Sequence, residues 1–294
     1  MELTLAHYRN RFCMFRTYYA LAEGIVKPEG FDLKVIEVAD PPSHELEEVL
    51  IRGEVAFANV YLPNFLKRKL GGAPIVGLST EWKSTAKGNG VFVLKDGPVQ
   101  TPKDLEGRLI ASHHSDPHAM HCYLLRKHYK VDDSTIRWES HPQEELVTIL
   151  KEGKADAVTL IDQVFWHGEK DPDVRCLYTD GDAWRGLHGL PEIIKHMLAT
   201  REDLLQEHPE FAGQILDACR KSIAYSDAHL EEVADKFIAK YGGDKQDILA
   251  SAGYPKIEFT FTDTERREAE ATMEMLIETG RLEGRVDLST AFVS

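Results

Sequence analysis

The sequence predicts an α/β protein of two lobes with a ligand cleft between them. The first observation is an internal repeat: residues 45–60 read ELEEVLIRGEVAFANV, and residues 145–160 read ELVTILKEGKADAVTL. Each copy has the pattern of a short amphipathic helix that ends at a glycine and leads into a buried strand. The second is that residues 3–38 and 109–139 share the order strand, loop, helix, turn, strand. Two such halves direct the carboxyl ends of their strands into one cleft, where open α/β sheets bind ligands.

Hydrophobic periodicity predicts the elements of the first half in order. Continuous or alternating apolar runs indicate strands, and apolar residues three or four positions apart indicate helices. The predicted strands cover residues 3–6, 31–38, 55–60, 75–80 and 90–94, and the helices cover residues 14–22 and 43–52. The stretch TPKDLEG, residues 101–107, predicts a capped helical turn before a strand over residues 108–112.

The second half repeats this plan as far as residue 160. A connection rich in Gly and Trp, residues 180–191, then precedes a strand over residues 194–200 that returns to the first lobe. The predicted helices after it cover residues 201–207, 210–226, 229–241 and 263–279. We assign residues 1–87 plus 198–294 to lobe one, which is discontinuous, and residues 88–197 to lobe two. Strands join the lobes, since the sequence contains no Pro/Ser-rich linker.

Composition excludes several classes of partner. The net charge of −14 argues against binding to nucleic acid or to anionic membranes, both of which require clustered Lys and Arg. No apolar run reaches the roughly 18 residues of a membrane helix, so no membrane insertion is expected. The N-terminus has no signal-peptide pattern, and the four cysteines have no metal-like spacing. We therefore expect a cytoplasmic protein, or a periplasmic one if a signal peptide has been removed.

A family resemblance rests on two segments. GNGVFVLKDGPVQTPKDLEGRLIAS, residues 88–112, resembles the lobe-crossing signature of type II periplasmic-binding-protein folds, and the chain is most similar to their NMT1/THI5-like group. That group contains receptors of ABC importers and cytoplasmic enzymes, including 4,5-dihydroxyphthalate decarboxylases and aryl-sulfinate desulfinases. Residues 190–209, with Pro191, His196, Arg201 and His208-Pro209, resemble the decarboxylases. The desulfinases carry a nucleophilic cysteine near strand one; Cys13 lies too late for that position and is interpreted mainly as a small apolar residue.

A histidine cluster is the most distinctive local feature. Four of the thirteen histidines fall in SHHSDPHAMH, residues 112–121. A helix that begins near Pro117 places His118 and His121 on one face, and His114 can approach from the loop. These three histidines form a candidate site for Zn²⁺, Mn²⁺ or Fe²⁺. The alternatives are metal-free histidines that donate N–H groups to a ligand acid, or histidines that only pack.

Further candidates come from the ends of the predicted strands and from nearby loops. Acid–base chemistry is assigned to His7, His113 and His196, and Lys195 is predicted to face outward. Trp82, Trp184 and His188 are predicted in loops, where they would wall an aromatic ligand. The complete set of ligand-binding candidates is Arg9, Arg11, Asn59, Tyr61, Trp82, Ser112, Ser115, Asp162, Trp184 and His188.

Two functions follow from these candidates. The first is a cytoplasmic, decarboxylase-like lyase that acts on a small aromatic carboxylate, held by Arg9 and assisted by the histidines or their metal. The alternative is a non-catalytic solute-binding protein of an ABC-type importer, or a ligand sensor, for a small anionic molecule. No nucleotide-binding loop or serine nucleophile motif is present. The sequence leaves the choice between a monomer and a homo-oligomer open.

Overall fold

The structure, a computed structural model, describes residues 1–39, 45–113 and 116–293, with the side chains of residues 116–118 left out. Its strands are β1 (Glu2–Tyr8), β2 (Asp32–Val38), β3 (Phe57–Tyr61), β4 (Ile75–Ser84), β5 (Asn89–Leu94), β6 (Leu109–Ser112), β7 (Arg137–Ser140), β8 (Ala157–Ile161), β9 (Val174–Thr179), β10 (Ile193–Arg201) and β11 (Pro255–Ile257). Its helices are α1 (Phe12–Ala22), α2 (Leu46–Ile51), α3 (Leu62–Leu70), α4 (Asp116–Lys127), α5 (Leu146–Lys151), α6 (Asp162–Lys170), α7 (Asp180–His188), α8 (Glu202–Glu207), α9 (Glu210–Ala228), α10 (Leu230–Tyr241), α11 (Lys245–Ser251), α12 (Asp263–Glu278) and α13 (Leu288–Ala291).

Two sheets form the centres of two lobes. The first sheet has the strand order β11-β4-β10-β3-β1-β2, and the second has the order β7-β6-β8-β5-β9. In each sheet three strands are parallel, with β1 between β2 and β3 and β6 between β7 and β8. A further strand lies antiparallel beside them: β10 pairs with β3, and β5 pairs with β8. The predicted two-lobed α/β architecture is confirmed.

The internal repeat is also a structural repeat. The helices α2 and α5 begin one hundred residues apart, and so do the strands β3 and β8 and the helices α3 and α6. Gly53 and Gly153 follow α2 and α5 with φ values of 73° and 68°, a left-handed conformation that favours glycine and ends a helix. The repeat differs at the first position of the helix that follows each of these strands: α3 begins with the buried Leu62, whereas α6 begins with Asp162 at φ 51°.

Apolar burial explains how these elements pack. One core of the first lobe joins the sheet to α1 and α9 through residues such as Leu5, Phe57 and Ile215. The second lobe has its own core, which includes Phe92 and Phe165. Full burial of such a side chain contributes about 1.5–3 kcal/mol. A larger apolar cluster continues from the first sheet into the second, so the lobes also share buried surface.

The chain passes between the sheets at residues 85–88 and again at residues 189–192, and these passages lie close together. A Cβ atom on Gly181 would lie 1.9 Å from the carbonyl oxygen of Thr85, so the side chain of any other residue would collide with the first passage. The return strand β10 lies wholly in the first sheet, since Ile193 already pairs with Ser84 of β4. The two passages therefore lie side by side, because the residues that flank them, Ser84 and Ile193, are paired in the sheet.

Several local predictions differ from the structure. The Gly/Trp-rich connection is largely the helix α7, because the Thr179 side chain accepts a hydrogen bond from the Asp182 N–H at its start and Gly189, at φ 68°, ends it. Trp82 lies on β4 rather than in a loop, because this strand continues four residues beyond its predicted end. Among residues 1–39, 45–113 and 116–293, no helix combines the length and the apolar character needed to cross a membrane.

Candidate ligand-binding cleft

The cleft lies where the carboxyl ends of the parallel strands of both lobes meet. Its volume is about 300 Å³. The loop after β1, the loop after β6 and the beginning of α6 contribute to its walls, and the segment around β11 closes one side. Its described lining consists of Asn10, Arg11, Phe12, Cys13, His113, Gln143, Glu144, Asp162, Gln163, Val164, Ser251 and Pro255. This is the position at which open α/β sheets bind small molecules.

An ion pair between Arg11 and Asp162 joins the two lobes inside the cleft. The Arg11 Nη1 atom lies 3.5 Å from the Asp162 Oδ2 atom, and the two side chains are 23% and 33% exposed. Asn10 precedes Arg11 with φ 61°, and Asp162 has φ 51°. The Asp162 N–H donates a hydrogen bond of 2.9 Å to the Gly88 carbonyl oxygen, in the segment that crosses between the lobes. Both partners of the pair are therefore positioned by unusual backbone conformations, which tend to occur at functional sites.

Arg11, His113 and Asp162 are the predicted site residues that line the cleft. Arg9, two residues before Arg11, is exposed and is not part of the described lining. Its backbone N–H donates a hydrogen bond of 2.9 Å to the Val38 carbonyl oxygen at the end of β2. The structure thus separates the two arginines that the sequence treats alike, because the left-handed backbone of Asn10 between them, at φ 61°, interrupts the extended chain that would place residues 9 and 11 on one side.

His7 and Asn59 belong to a buried network behind the cleft, on the face of the first sheet that packs against α1. Both side chains are buried, and the His7 ring stacks on the ring of Tyr18 with centroids 5.0 Å apart. Tyr18 Oη and Asn59 Nδ2 each donate a hydrogen bond to Glu81 Oε2, at 2.5 and 2.6 Å. Burial lowers the pKa of His7 to about 4, so His7 is neutral at pH 7.

Glu81 provides a test of this network. Burial raises its pKa to about 7 against the opposing hydrogen bonds from Tyr18 and Asn59. The folded state therefore holds the proton of the Glu81 carboxyl group more tightly than the unfolded chain does. The contribution of Glu81 to the free energy of unfolding consequently falls as the pH rises from about 4.5 to 7. We expect Glu81→Gln, which retains the accepting oxygen, to raise the free energy of unfolding at pH 8 by up to about 3 kcal/mol. Urea denaturation at pH 8 and pH 5 measures this; a gain that persists unchanged at pH 5 would contradict it.

His196 lies in an aromatic cluster on the first sheet. Its ring centroid lies 5.5 Å from that of Tyr61 and 5.9 Å from that of Trp82. Burial, and then the positive charges of Arg11 and Lys195, lower the pKa of His196 to about 3. Its Nδ1 atom and the Trp82 Nε1 atom are buried and have no hydrogen-bond partner among the residues that the structure describes. The cluster is electrostatically coupled to the cleft through Arg11, although these rings are not part of the described lining.

The remaining second-lobe candidates lie inside that lobe. Trp184 is fully buried on α7, because this helix packs against α4. The ring centroids of Trp184 and His188 lie 4.2 Å apart. The prediction placed this pair in a loop beside the ligand, whereas both residues belong to α7 and neither is part of the described cleft lining. His121 is buried, with its Nδ1 atom 3.1 Å from the Tyr178 hydroxyl. Ser112 is also buried, at the end of β6.

The predicted metal site cannot be assembled from the described residues. His114 and Ser115 lie outside them, and the His118 side chain is not described. Within the described part of the chain, no group of three or more His, Cys, Asp or Glu side chains could hold a metal ion. His121, the third predicted ligand, has its Nδ1 atom against Tyr178. A divalent metal at this loop stays a prediction.

Lys195 is a buried charged residue whose position the sequence analysis did not predict. Its predicted outward orientation is wrong: the side chain is 14% exposed, and its Nζ atom lies 3.1 Å from Asp180 Oδ2. Ser84 Oγ donates to the other oxygen of Asp180 at 3.2 Å, and Asn89 Nδ2 donates to Ser84 Oγ at 3.0 Å. Burial opposes the charge of Lys195, but Asp180 together with Tyr61 and Asp162 outweighs burial and raises the lysine pKa. A lysine within a predicted apolar strand was the available signal, since a buried charge requires a partner.

The sequence comparison assigns the chain to a family. Residues 14–233 match the family described as NMT1/THI5 like. The chain belongs to the NMT1/THI5-like family. The match begins within α1 and ends within α10, and it confirms the resemblance inferred from the lobe-crossing segment. None of the curated proteins matches the sequence.

Solved structures show that this NMT1/THI5-like chain has the fold of periplasmic binding proteins. The periplasmic aliphatic sulphonate binding protein SsuA from Escherichia coli has a TM-score of 0.78 at 15% identity, over 100% of this chain and 92% of that chain. The alkanesulfonate-binding protein SsuA from Xanthomonas axonopodis pv. citri, bound to MOPS, has a TM-score of 0.73 at 15% identity, over 99% and 98% of the chains. A mutant of DszB in complex with biphenyl-2-sulfinic acid has a TM-score of 0.66 at 13% identity, over 99% of this chain and 96% of that chain. These identities establish the fold alone.

Cys13 is a cleft residue of this family member that is expected to be unreactive. Burial, and then the negative charge of Asp162, raise the pKa of its thiol from 9.0 to about 12. Its thiolate fraction near pH 8 is therefore lower than that of an ordinary thiol by about a thousandfold. We expect native protein treated with iodoacetamide at pH 8 to keep Cys13 unmodified, whereas urea-unfolded protein is alkylated there. Alkylation of native Cys13 at the rate of a free thiol, measured by peptide mass spectrometry, would contradict this.

Proposed function

We propose that this protein is a solute-binding protein that holds a small anionic molecule between its lobes and releases it unchanged. The observation that carries the proposal is Arg11, a partly buried guanidinium that lines a cleft of about 300 Å³ and pairs with Asp162 of the opposite lobe. A guanidinium in such a position can donate two parallel hydrogen bonds to an acid group. Because the cleft is formed by both lobes, a ligand held there also favours the closed arrangement.

The titratable groups near the cleft support binding over lyase chemistry. The lowered pKa values of His7 and His196, about 4 and 3, make each a weak base at pH 7, and the raised pKa of Cys13, about 12, makes it a poor nucleophile. The sulfonate-binding neighbours likewise favour the solute-binding alternative over the decarboxylase prediction. Together these observations make a non-catalytic receptor the better-supported function.

The segment that resembles decarboxylases has structural roles in this chain. Arg201 Nη1 donates a hydrogen bond of 3.0 Å to the Val55 carbonyl oxygen, and its Nε atom pairs with Asp203. The His208 ring stacks on Phe211 with centroids 4.5 Å apart. Neither Arg201 nor His208 belongs to the described cleft lining. These contacts weaken the lyase prediction at the residues on which it rested.

The ligand class follows from the size and charge of the cleft. A volume near 300 Å³ is at the lower end for ligand pockets and suits a small molecule. Sulfonates, sulfinates and carboxylates all present oxygens that a guanidinium can bind in pairs. An aromatic ligand body, a role in an importer and a homo-oligomeric state stay predictions, as does a cytoplasmic or periplasmic location.

The experiment that tests this function measures binding and turnover on the same samples. A panel of alkyl and aryl sulfonates, sulfinates and carboxylates is titrated into the protein by calorimetry, and each mixture is analysed by liquid chromatography and mass spectrometry after overnight incubation. We expect saturable one-to-one binding of at least one acid and full recovery of that acid. Loss of the acid with release of carbon dioxide or sulfite would overturn the receptor assignment in favour of the lyase.

A further inference from the structure

A network of four polar side chains joins the lobes where the chain passes between them. Asp180, the first residue of α7, belongs to the second lobe, and Lys195 belongs to β10 of the first sheet. The Lys195 Nζ atom lies 3.1 Å from Asp180 Oδ2, and Ser84 Oγ donates to Asp180 Oδ1 at 3.2 Å. Asn89 Nδ2, at the start of β5, donates to Ser84 Oγ at 3.0 Å. One carboxylate of the second lobe thus contacts both first-lobe strands that flank the passages.

This network is shielded from solvent. Its members are buried, apart from Lys195, whose side chain is 14% exposed. By contrast, Lys127 of α4 and Glu278 of α12, which also pair across the lobes, have side chains that are 41% and 40% exposed. A buried ion pair is screened far less by water and salt than an exposed one, and removal of one partner leaves an uncompensated buried charge. The network is therefore a stronger connection between the lobes than this surface pair.

The geometry of the network depends on how the lobes are placed relative to each other. Lys195 and Ser84 are both held in the first sheet, because β10 pairs with β4. Asp180 moves with the second lobe, and the next residue, Gly181, lies against the carbonyl group of Thr85 in the first passage. A rotation of the second lobe about the passages would move the carboxylate away from its two first-lobe partners. A hydrogen bond is lost once its atoms are more than about 3.5 Å apart, so a small rotation breaks the network.

We infer that Asp180 is a positioning residue that holds the two lobes in this arrangement and so controls access to the cleft. The inference rests on the proposed function, since it assigns a control of that binding site. Asp180 is not part of the described cleft lining, so it acts through the placement of the lobes. Loss of its charge removes the ion pair of Lys195 and lowers the population of the arrangement that encloses a ligand. The apparent affinity for a ligand falls in proportion to that population.

Two native cysteines report on this control. Cys13 lines the cleft, whereas Cys219 is fully buried in the core of the first lobe. We expect Asp180→Asn to raise the rate at which iodoacetamide alkylates Cys13 at pH 8 by about 10-fold or more, because alkylation follows the population of the open form. Cys219 should stay unmodified, since opening of the lobes leaves that core intact. Peptide mass spectrometry at successive times measures both rates.

A double variant separates opening from unfolding. Asp180→Asn may by itself be destabilising, because it leaves the Lys195 charge without its ion pair; Asp180→Asn with Lys195→Met removes both charges, and such replacements of a buried pair are often neutral for stability. The double variant should alkylate at Cys13 about 10-fold faster than the wild type, with Cys219 still protected. A wild-type rate at Cys13 in the double variant would overturn the inference. So would equal acceleration at Cys13 and Cys219 in both variants, since the network would then stabilise only the fold.

The controls distinguish the inference from the function on which it rests. Asp173→Asn removes an exposed carboxylate of the same lobe, which pairs with Lys151, and should leave the Cys13 rate within about twofold of the wild type. Calorimetry with butanesulfonate should show binding to the double variant that is about 10-fold weaker than to the wild type. Unchanged affinity with an unchanged Cys13 rate would overturn the inference and leave the receptor function intact. Failure of every acid to bind the wild type, with faster Cys13 alkylation in the double variant, would overturn the receptor function and support the control of the lobes.

Discussion

Replacement of Arg11 by alanine is expected to weaken the binding of a small sulfonate or carboxylate by about 10- to 100-fold. The guanidinium is the cationic side chain among the described cleft lining, and a hydrogen bond to a charged group contributes about 1.5–3 kcal/mol. The change also releases Asp162 from its cross-lobe pair and leaves its negative charge facing the ligand. Calorimetric titration of the variant with the acid that binds the wild type most tightly measures the loss.

Arg9 provides the matched control for this prediction. It carries the same charge two residues away, but its side chain is exposed and is not part of the described lining. Arg9→Ala should therefore bind the acid within about twofold of the wild type, since an exposed charge outside the site is largely screened by salt. An equal loss of affinity in both variants would show that the overall charge of the loop, rather than the cleft position of Arg11, determines binding.

The largest expected loss of stability comes from Lys83, a lysine on β4 that is only 1% exposed. Its Nζ atom lies 2.8 Å from a carboxylate oxygen of Glu265, 3.0 Å from one of Glu192 and 3.4 Å from one of Glu258. Lys83→Met would leave Glu265, whose side chain is 6% exposed, without this cation, whereas Glu192 and Glu258 would keep Lys256 as a partner. We expect the free energy of unfolding at pH 7 to fall by about 3–5 kcal/mol. Urea denaturation monitored by circular dichroism measures the loss.

The pH dependence and a control make this prediction specific. Burial favours the neutral form of Glu265, but hydrogen bonds from Lys83 and Thr262 outweigh burial and lower its pKa to about 2. The contribution of the ionised Glu265 to the free energy of unfolding is therefore present above about pH 4.5 and is lost as the pH falls toward 2. The destabilisation by Lys83→Met should therefore be smaller at pH 4 than at pH 7. Lys87→Met, at an exposed lysine paired with Glu169, should change the free energy of unfolding by less than about 1 kcal/mol. Equal losses of stability in Lys83→Met and Lys87→Met would contradict the account.

The architecture was predictable because it is encoded by periodic patterns. The repeat of residues 45–60 at residues 145–160 predicted the paired helices and strands, and the glycines that end the helices have the left-handed conformation that the pattern implies. The capped turn before β6 is also present: Asp104 accepts hydrogen bonds from the Thr101 N–H and hydroxyl. Such features depend on neighbours in the sequence, which is why a single chain reveals them.

The site was only partly predictable because it depends on where each side chain points. Arg11, His113 and Asp162 belong to the described cleft lining, whereas Arg9 does not. Trp184 was predicted at the ligand, yet it is buried because a connection read as a loop is the helix α7. The salt bridge between Lys195 and Asp180 joins residues brought together by the return of β10 to the first sheet. Periodicity cannot give these orientations, since a one-residue shift moves a side chain to the other face of a strand.

The most direct test of the central claim is a crystal structure of the protein with 3-bromopropanesulfonate, in which anomalous scattering locates the bromine atom. We predict an intact ligand between the lobes, with its sulfonate oxygens within hydrogen-bond distance of Arg11 and its bromine inside the same cleft. A ligand bound only at another surface, or a cleft that contains a cleaved product, would contradict the account.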